Sequence, residues 1–189
     1  MPIVVVRKDE DKGVVVNSVR STDDGGQFDD EDKLQSLLEK YPNLVREDHG
    51  PEVNLVKREL ILPKAGKLDL LFVDSDGLPI AVEVKLDRNA KKREVVAQAL
   101  DYLTDLTSLT VDELDQLVNK ELTRALEQHD LAAEGEKDPD FLWNAVGRNL
   151  RAGKARLMVV MDRPHPDLER IFSFLANNSQ LDVQLLMSP

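Results

Sequence analysis

Residues 66–102 read GKLDLLFVDSDGLPIAVEVKLDRNAKKREVVAQALDY, and this stretch decides the fold. It contains two apolar runs, 67–74 and 79–86, separated by a Ser-Asp-Gly turn signal, which is the pattern of an antiparallel hairpin. A helix is predicted over about 90–107, because apolar residues there recur at helical spacing on one arc. The stretch therefore predicts two adjacent strands that lead directly into a helix.

The flanking sequence extends this unit in both directions. Upstream, residues 53–62 predict a third antiparallel strand. A helix is predicted from Asp29 or Asp30 to Lys40, with an inward stripe of Leu34, Leu37, Leu38 and Tyr41. The remaining predicted elements are a hairpin over 2–6 and 14–19, a helical stretch over 111–130, helices over 140–151 and 166–177, and strands over 156–161 and 181–187. This order predicts an α/β sheet domain.

Length and composition favour a single domain over residues 1–189. The chain is 41% hydrophobic and 32% charged, and a chain of this length buries enough surface to fold without disulfides. We divide the domain into an N-terminal hairpin (1–20), a core (28–107), an acidic helical insertion (108–139) and a C-terminal α-β-α-β segment (140–189). The chain lacks cysteine and has three isolated histidines, which excludes thiol nucleophiles, iron–sulfur clusters and Cys-based zinc sites.

Location and assembly are constrained only weakly. The apolar run at the N-terminus is short, and no stretch approaches about 18 apolar residues, so we expect a cytoplasmic protein with no membrane partner. The N-terminal hairpin and the C-terminal strand could extend a sheet across a homodimer.

Charge is distributed unevenly along the chain. The formal net charge of −11 argues against a nucleic-acid binder. Residues 57–93 nevertheless contain nine bases and six acids, whereas residues 105–140 contain three bases and eleven acids. The first segment could meet phosphates; alternatively, both segments are simply solvated faces.

Two carboxylates stand out in the predicted hairpin. If its turn centres on Asp76, the numbers of paired residues sum to 152, and Asp69 lies opposite Glu83 with Cβ atoms about 5 Å apart. An Asp76-Gly77 turn would instead pair Asp69 with Val84, but the first register keeps the apolar residues of both strands in phase. Because apposed carboxylates repel each other, removing either one from the metal-free protein is expected to leave the fold intact or to stabilise it.

A basic residue accompanies the two acids. Strand alternation places Lys85 on the same face as Glu83, and three charges in so apolar a hairpin are costly to bury. A structural Glu83–Lys85 ion pair leaves Asp69 unexplained, whereas a divalent cation held by Asp69, Glu83 and a strand carbonyl accounts for all three. Oxygen-only ligation suits Mg²⁺ or Mn²⁺. Helical periodicity turns Glu31 toward the same site, although a first-turn acid is equally often a dipole or capping residue.

The spacing of these residues resembles a known family. Gln98 and Tyr102 lie four residues apart on one flank of the predicted helix, where boundary residues are also common. The pattern Asp69-x13-Glu83-Val84-Lys85, followed by Gln98-x3-Tyr102, resembles the PD-(D/E)XK nuclease superfamily, whose core has the same α-βββ-α-β order. Within it, the Glu-x-x-Leu-Gln start of the first helix, here residues 31–35, is similar to the RecB-like and NucS-like branch.

The resemblance covers about residues 28–107, together with the strand at 156–161. It implies a restriction-endonuclease-like mixed β-sheet flanked by helices. The sequence pattern adds an N-terminal β-hairpin and a C-terminal β-α-β extension, which lie outside the part that the resemblance covers. Leu68 stands where the superfamily commonly has a proline before the aspartate.

The function implied by the resemblance is a metal-dependent deoxyribonuclease acting in DNA repair, recombination or restriction. Its implied site residues are Asp69 and Glu83 as metal ligands, Glu31 as their support, Lys85 as the group that orients or activates the attacking water, and Gln98 and Tyr102 beside the scissile phosphate. A metal and a lysine would stabilise the negative charge that builds on the phosphate oxygens during attack.

Partners follow from the same region. Arg88, Lys91, Lys92 and Arg93 come directly after the site and could track a DNA backbone. The main rival is a non-catalytic acidic interaction protein on the same fold, whose segment 105–140 binds a basic partner or mimics DNA. A metal-binding regulator without hydrolysis is a third alternative, but it leaves Lys85 without a role.

Overall fold

Seven strands are present in the computed structural model, which describes residues 4–5, 16–17, 30–46, 50–132, 139–163 and 165–187. Strands β1 (Val4–Val5) and β2 (Val16–Asn17) form a separate antiparallel pair. The main sheet contains β3 (Val53–Leu62), β4 (Gly66–Asp74), β5 (Pro79–Lys85), β6 (Arg156–Met161) and β7 (Asp182–Met187), in that spatial order. The predicted N-terminal hairpin is confirmed over β1 and β2; the rest of residues 1–20 and the loop at 21–27 lie outside the described residues.

The sheet is mixed. Strands β3, β4 and β5 are joined by tight turns and pair antiparallel, whereas β5, β6 and β7 pair in parallel. Each parallel neighbour follows a helical crossover, as parallel pairing requires. The carboxyl ends of β5 and β6 therefore lie side by side at one end of the strands, together with the amino end of β4.

Six α-helices flank the sheet in the described part of the chain, in addition to two short 3-10 helices at Pro42–Val45 and Asp87–Asn89. The α-helices are α1 (Glu31–Lys40), α2 (Lys92–Leu106), α3 (Val111–Leu117), α4 (Glu121–Ala132), α5 (Pro139–Arg151) and α6 (Pro166–Asn178). The predicted strand and helix positions are confirmed, with one difference: the stretch 111–130 is two helices. Asn119 and Lys120 adopt φ of 56° and 68°, which ends α3, and the buried carboxylate of Asp115 accepts the Thr123 N–H at 3.0 Å near the start of α4.

The apolar side chains form one core on each face of the sheet. On one face, Leu34 and Leu38 of α1 pack against alternate residues of β4 and β5. The larger core on the other face contains the apolar side of α2 and residues from α3 to α6. A mixed α/β sheet flanked by helices is therefore the observed fold class, as predicted. No described helix is long and apolar enough to cross a membrane.

The register of the β4–β5 hairpin is the one that sums to 152, since Leu70 pairs with Val82. Its turn needs glycine at Gly77 for two reasons. The φ of 74° lies in the left-handed region, and a Cβ there would come within 2.7 Å of the Ala145 Cβ in α5. Close packing of α5 on the turn thus fixes one end of the hairpin and leaves the opposite end for the site.

Candidate active site

The candidate site begins where the β4–β5 ladder ends. Backbone pairing runs as far as Leu70 and Val82, and the next positions in the same register are Asp69 and Glu83. The Val84 N–H donates to Asp69 Oδ2 at 2.8 Å. Asp69 therefore does two things: it lies opposite Glu83, and it replaces a strand carbonyl as the acceptor for the β5 backbone.

Glu83 is the most deeply buried acid of the pair, with 1% of its surface exposed against 7% for Asp69. Its Oε1 accepts a hydrogen bond from Lys85 Nζ at 2.8 Å, while its buried Oε2 has no hydrogen-bond partner among the described residues. Burial, followed by the charge of Asp69, raises the pKa of Glu83 to about 7. Burial also raises the pKa of Asp69, against the opposing effect of the Val84 N–H.

Lys85 remains a cation in this environment. Burial alone would lower its pKa, but the hydrogen bond to Glu83 and the charges of Glu83 and Glu31 outweigh burial and raise the pKa. Its side chain is 21% exposed, so the ammonium group lies at the boundary between the buried acids and solvent. A fixed positive charge is thereby held beside two carboxylates.

Glu31 reaches the site from the start of α1. Asp30 caps this helix by accepting the Lys33 N–H at 2.8 Å, which leaves Glu31 available for other contacts. Its Oε1 accepts the Leu86 N–H at 3.2 Å, and its Oε2 lies 3.9 Å from Lys85 Nζ. Of the two alternatives for Glu31, the structure favours the site over the cap.

The structure does not gather the three predicted metal-binding acids into one cluster. No group of three or more Asp, Glu, His or Cys side chains that could hold a metal ion occurs among the described residues. Glu31 lies beside Lys85 and the backbone that follows β5, whereas Asp69 and Glu83 face each other across the hairpin. These two are the residues that could hold a divalent cation, and the unpartnered Glu83 Oε2 is an oxygen donor suited to one.

Gln98 and Tyr102 contact each other, as their spacing predicts: the Gln98 amide donates to the Tyr102 hydroxyl. Tyr102 is fully buried, and its hydroxyl donates to the Lys67 carbonyl at 2.5 Å. Burial and the charge of Glu83 raise the pKa of Tyr102, which keeps the phenol protonated. The hydroxyl thus holds β4 in place two residues before Asp69, and Gln98 is the partly exposed member of the pair.

The four basic residues after β5 include two lysines that pair with acids. Arg88 and Arg93 are exposed. Lys91 pairs with Glu94 at 3.1 Å, and Lys92 pairs with Asp167 of α6. Lys91 and Lys92 therefore already have an acidic partner.

Asp162 is a site residue that sequence reasoning missed. It follows β6, is 8% exposed, and accepts the Asp87 N–H at 2.7 Å. Together with Glu31 it holds the backbone just after β5, on the carboxyl side of Lys85. The signal was an acid directly after a buried strand, but it becomes meaningful only once β6 is known to lie parallel to β5.

Comparisons with known proteins yield two solved structures. No protein-family model matches the chain, and no curated protein matches it. The crystal structure of a repair endonuclease from Pyrococcus abyssi is 17% identical, with a TM-score of 0.42 over 87% of this chain and 50% of that chain. The EndoMS–dsDNA2 complex is 17% identical, with a TM-score of 0.45 over 98% of this chain and 60% of that chain. The chain thus spans between half and three fifths of the length of these proteins.

Proposed function

We propose that this chain is a metal-dependent nuclease that hydrolyses DNA phosphodiester bonds. One observation carries the proposal: the buried Glu83 Oε2, beside Asp69, has no hydrogen-bond partner in the part of the chain that the structure describes, while Lys85 lies 2.8 Å from the other oxygen of the same carboxylate. Two apposed acids in a low-dielectric site are unfavourable by themselves, and a divalent cation between them would offset their repulsion. The resemblance of Asp69, Glu83 and Lys85 to the PD-(D/E)XK pattern supports the same function.

Asp69 and Glu83 would hold Mg²⁺ or Mn²⁺, because hard divalent cations prefer oxygen ligands. When bound, such an ion supplies Lewis-acid stabilisation of phosphate oxygens and lowers the pKa of a bound water. The protein contributes the geometry: Asp69 is held by the Val84 N–H, and Glu83 by Lys85. Both carboxylates are thus oriented before substrate arrives.

Lys85 would supply charge where the reaction needs it. In-line attack on a phosphodiester builds negative charge on the non-bridging oxygens, and a preorganised cation stabilises that charge without reorganisation. Glu31, 3.9 Å from Lys85 Nζ, would restrict the position of the ammonium group. Gln98 is the partly exposed amide near this end of the hairpin and would contact the phosphate, whereas Tyr102 would act by holding β4.

The proposed substrate is DNA, in repair, recombination or restriction. Arg88 and Arg93 are exposed next to the site and would contact the phosphate backbone, since such contacts position a protein on DNA without reading its sequence. A second candidate function is a non-catalytic acidic interaction protein on this fold. The pairing of Lys91 with Glu94 and of Lys92 with Asp167 favours it, because it reduces the positive charge beside the site.

A hydrolysis assay separates the two candidates. Single-stranded, double-stranded and branched DNA are incubated with the protein in Mg²⁺, in Mn²⁺ and in chelator, alongside Glu83→Ala. The matched control is Asp115→Asn, which alters an equally buried acid in the α3–α4 corner. The nuclease predicts metal-dependent cleavage by the wild type and by Asp115→Asn, and its loss in Glu83→Ala. Absence of cleavage under every condition would favour the interaction protein.

A further inference from the structure

Halfway along the β3–β4 hairpin, the side chains of both strands change from one face of the sheet to the other. Arg58 pairs with Leu70, and Leu60 pairs with Leu68, so the register is the same on both sides of this point. Residues two apart on a regular strand share a face. Here Leu70 packs in the core beneath α1, whereas Leu60 and Leu68 pack in the core on the opposite face. Both strands therefore change faces between these two pairs.

Contacts of Arg58 confirm the change of face independently. Its guanidinium donates to Glu39 at 2.7 Å and to Ser36 at 3.0 Å, and it also binds Asp32, all on α1. The inner half of the hairpin, which contains the Arg58–Leu70 pair and lies away from the turn at 63–65, is thus attached to α1.

The outer half of the hairpin, which contains the Leu60–Leu68 pair and the turn at 63–65, is attached to α2. Asp105 Oδ2 accepts the N–H groups of Lys64 and Ala65 at 2.6 and 2.9 Å, and the Tyr102 hydroxyl donates to the Lys67 carbonyl. The two halves of one hairpin are therefore held by helices on opposite faces of the sheet.

Glu59 lies where the strands change faces, opposite Asp69 in the register. Its φ is 52°, in the left-handed region that few residues other than glycine adopt. No extra residue is inserted here, because pairs 58–70 and 60–68 keep one register; the bulge in this ladder lies at residue 56. The side chain of Glu59 is exposed and pairs with Lys67 at 3.0 Å, so no buried contact explains the backbone conformation.

The change of face accounts for the position of the Asp69 carboxylate. Side chains of regular strands stand roughly perpendicular to the sheet. Asp69 instead reaches sideways to the Val84 N–H of the neighbouring strand, in the direction of the ladder hydrogen bonds. A strand that rotates turns its side chains toward the neighbouring strand, and Asp69 lies where both strands change faces.

We infer that Glu59 is a positioning residue: its left-handed backbone makes both strands of the hairpin change faces, and this places the Asp69 carboxylate against Val84 and opposite Glu83. Strained backbone conformations often persist where the surrounding structure uses them for a site. The task of Asp69 as a metal ligand rests on the proposed function, whereas the Asp69–Val84 contact can be measured without it.

The test compares three variants with the wild type. Glu59→Gly keeps the left-handed conformation without steric cost. Glu59→Val disfavours it strongly, because a β-branched residue is an outlier at positive φ. Asn119→Val imposes the same backbone strain at the α3–α4 corner, far along the chain from the site, and is the matched control. Hydrogen exchange of the Val84 amide, Mn²⁺ affinity by calorimetry and DNA hydrolysis are measured for each.

Glu59→Val is expected to speed Val84 exchange and weaken Mn²⁺ binding by about tenfold each, because branching at Cβ adds to the left-handed penalty that Glu59 already carries. Glu59→Gly, which also loses the ion pair to Lys67, should remain within about twofold of the wild type, and Asn119→Val should lose thermal stability without changing either quantity. If Glu59→Val unfolds, Glu59→Thr replaces it, because threonine is also branched at Cβ but is polar at this exposed position.

Two results would overturn the inference. One is normal Val84 protection in the folded valine or threonine variant; the other is a glycine variant as impaired as the valine variant, which would assign the effect to the side chain. If the wild type neither binds Mn²⁺ nor cleaves DNA, the proposed function fails, but Val84 exchange still decides whether Glu59 positions Asp69.

Discussion

Asp69 accepts the backbone N–H of Val84 from across the hairpin, at 2.8 Å. Neither residue is exposed, so this contact gives one candidate metal ligand a structural role that the other candidate, Glu83, does not share. The expectation that either acid can be removed without loss of stability therefore needs to be revised for Asp69.

Asp69→Ala is predicted to destabilise the metal-free protein by about 1–3 kcal/mol, because it leaves the Val84 N–H buried without an acceptor. Asp69→Asn keeps a side-chain oxygen and should cost less. Urea denaturation in chelator measures both. An alanine variant as stable as the wild type would show that water or a strand carbonyl replaces the carboxylate.

Glu83→Gln is predicted to stabilise the metal-free protein at and above neutral pH. The pKa of Glu83 is raised from 4.5 to about 7, so between these values the folded state holds a proton that the unfolded state has released. Stability from this group is present below pH 4.5 and is lost as pH rises to 7, by about 3 kcal/mol in total. The difference between the variant and the wild type should therefore grow over that pH range and vanish at pH 4; a difference independent of pH would contradict the assignment.

Lys85→Met is predicted to lower hydrolysis by about two to three orders of magnitude, as when one charge-stabilising donor is removed. The methionine keeps much of the apolar stem and loses the charge. Mn²⁺ affinity should be retained or increase, because a neighbouring cation is gone. Lys154→Met, at an exposed position after α5, is the control and should cleave like the wild type. A parallel fall in metal affinity would indicate that Lys85 mainly orients Glu83.

Tyr102→Phe is predicted to destabilise the protein by about 0.5–1.5 kcal/mol, the usual net contribution of one hydrogen bond, because the Lys67 carbonyl loses its donor. The phenol itself stays protonated between pH 5 and 9, but its hydroxyl lowers the pKa of Glu83, so the loss should be larger at pH 9 than at pH 5. Thermal denaturation at several pH values provides the measurement. A loss that is independent of pH would mean that the hydroxyl does not act on Glu83.

Arg93→Gln and Lys92→Gln are predicted to affect DNA binding differently. Each phosphate contact contributes about one to the slope of log affinity against log salt. Arg93 is exposed and should lower the slope by about one, whereas Lys92 is paired with Asp167 and should lower it less. Fluorescence anisotropy over a salt series, in chelator, compares the two. Equal slopes would mean that DNA displaces Asp167.

Much of this arrangement could be predicted from the sequence because it depends on local pattern. The apolar runs and the turn at residues 75–77 determine the register that places Asp69 opposite Glu83, and helical spacing brings Gln98 to Tyr102. What could not be predicted depends on the backbone or on distant contacts. Glu59 carries no sequence signal for a left-handed conformation, and Asp162 joins the site only through the parallel pairing of β6.

The break between α3 and α4 is an intermediate case. Asn119 is a residue type that tolerates positive φ, so a helix end could have been suspected there. The continuous helical spacing over 111–130 concealed it. Asp115, buried in the corner, supplies the reason for the break through its hydrogen bond to Thr123.

The parallel pairing of β5 with β6 has a consequence for biosynthesis. Glu83 pairs with Val159, 76 positions later in the chain, so the strand that carries the site stays at a sheet edge until the C-terminal part has been made. Until then an apolar strand with unpaired backbone groups is exposed, which is the usual template for aggregation. Contacts between such distant segments also form slowly. On the ribosome, β5 therefore remains an unprotected edge strand until β6 emerges.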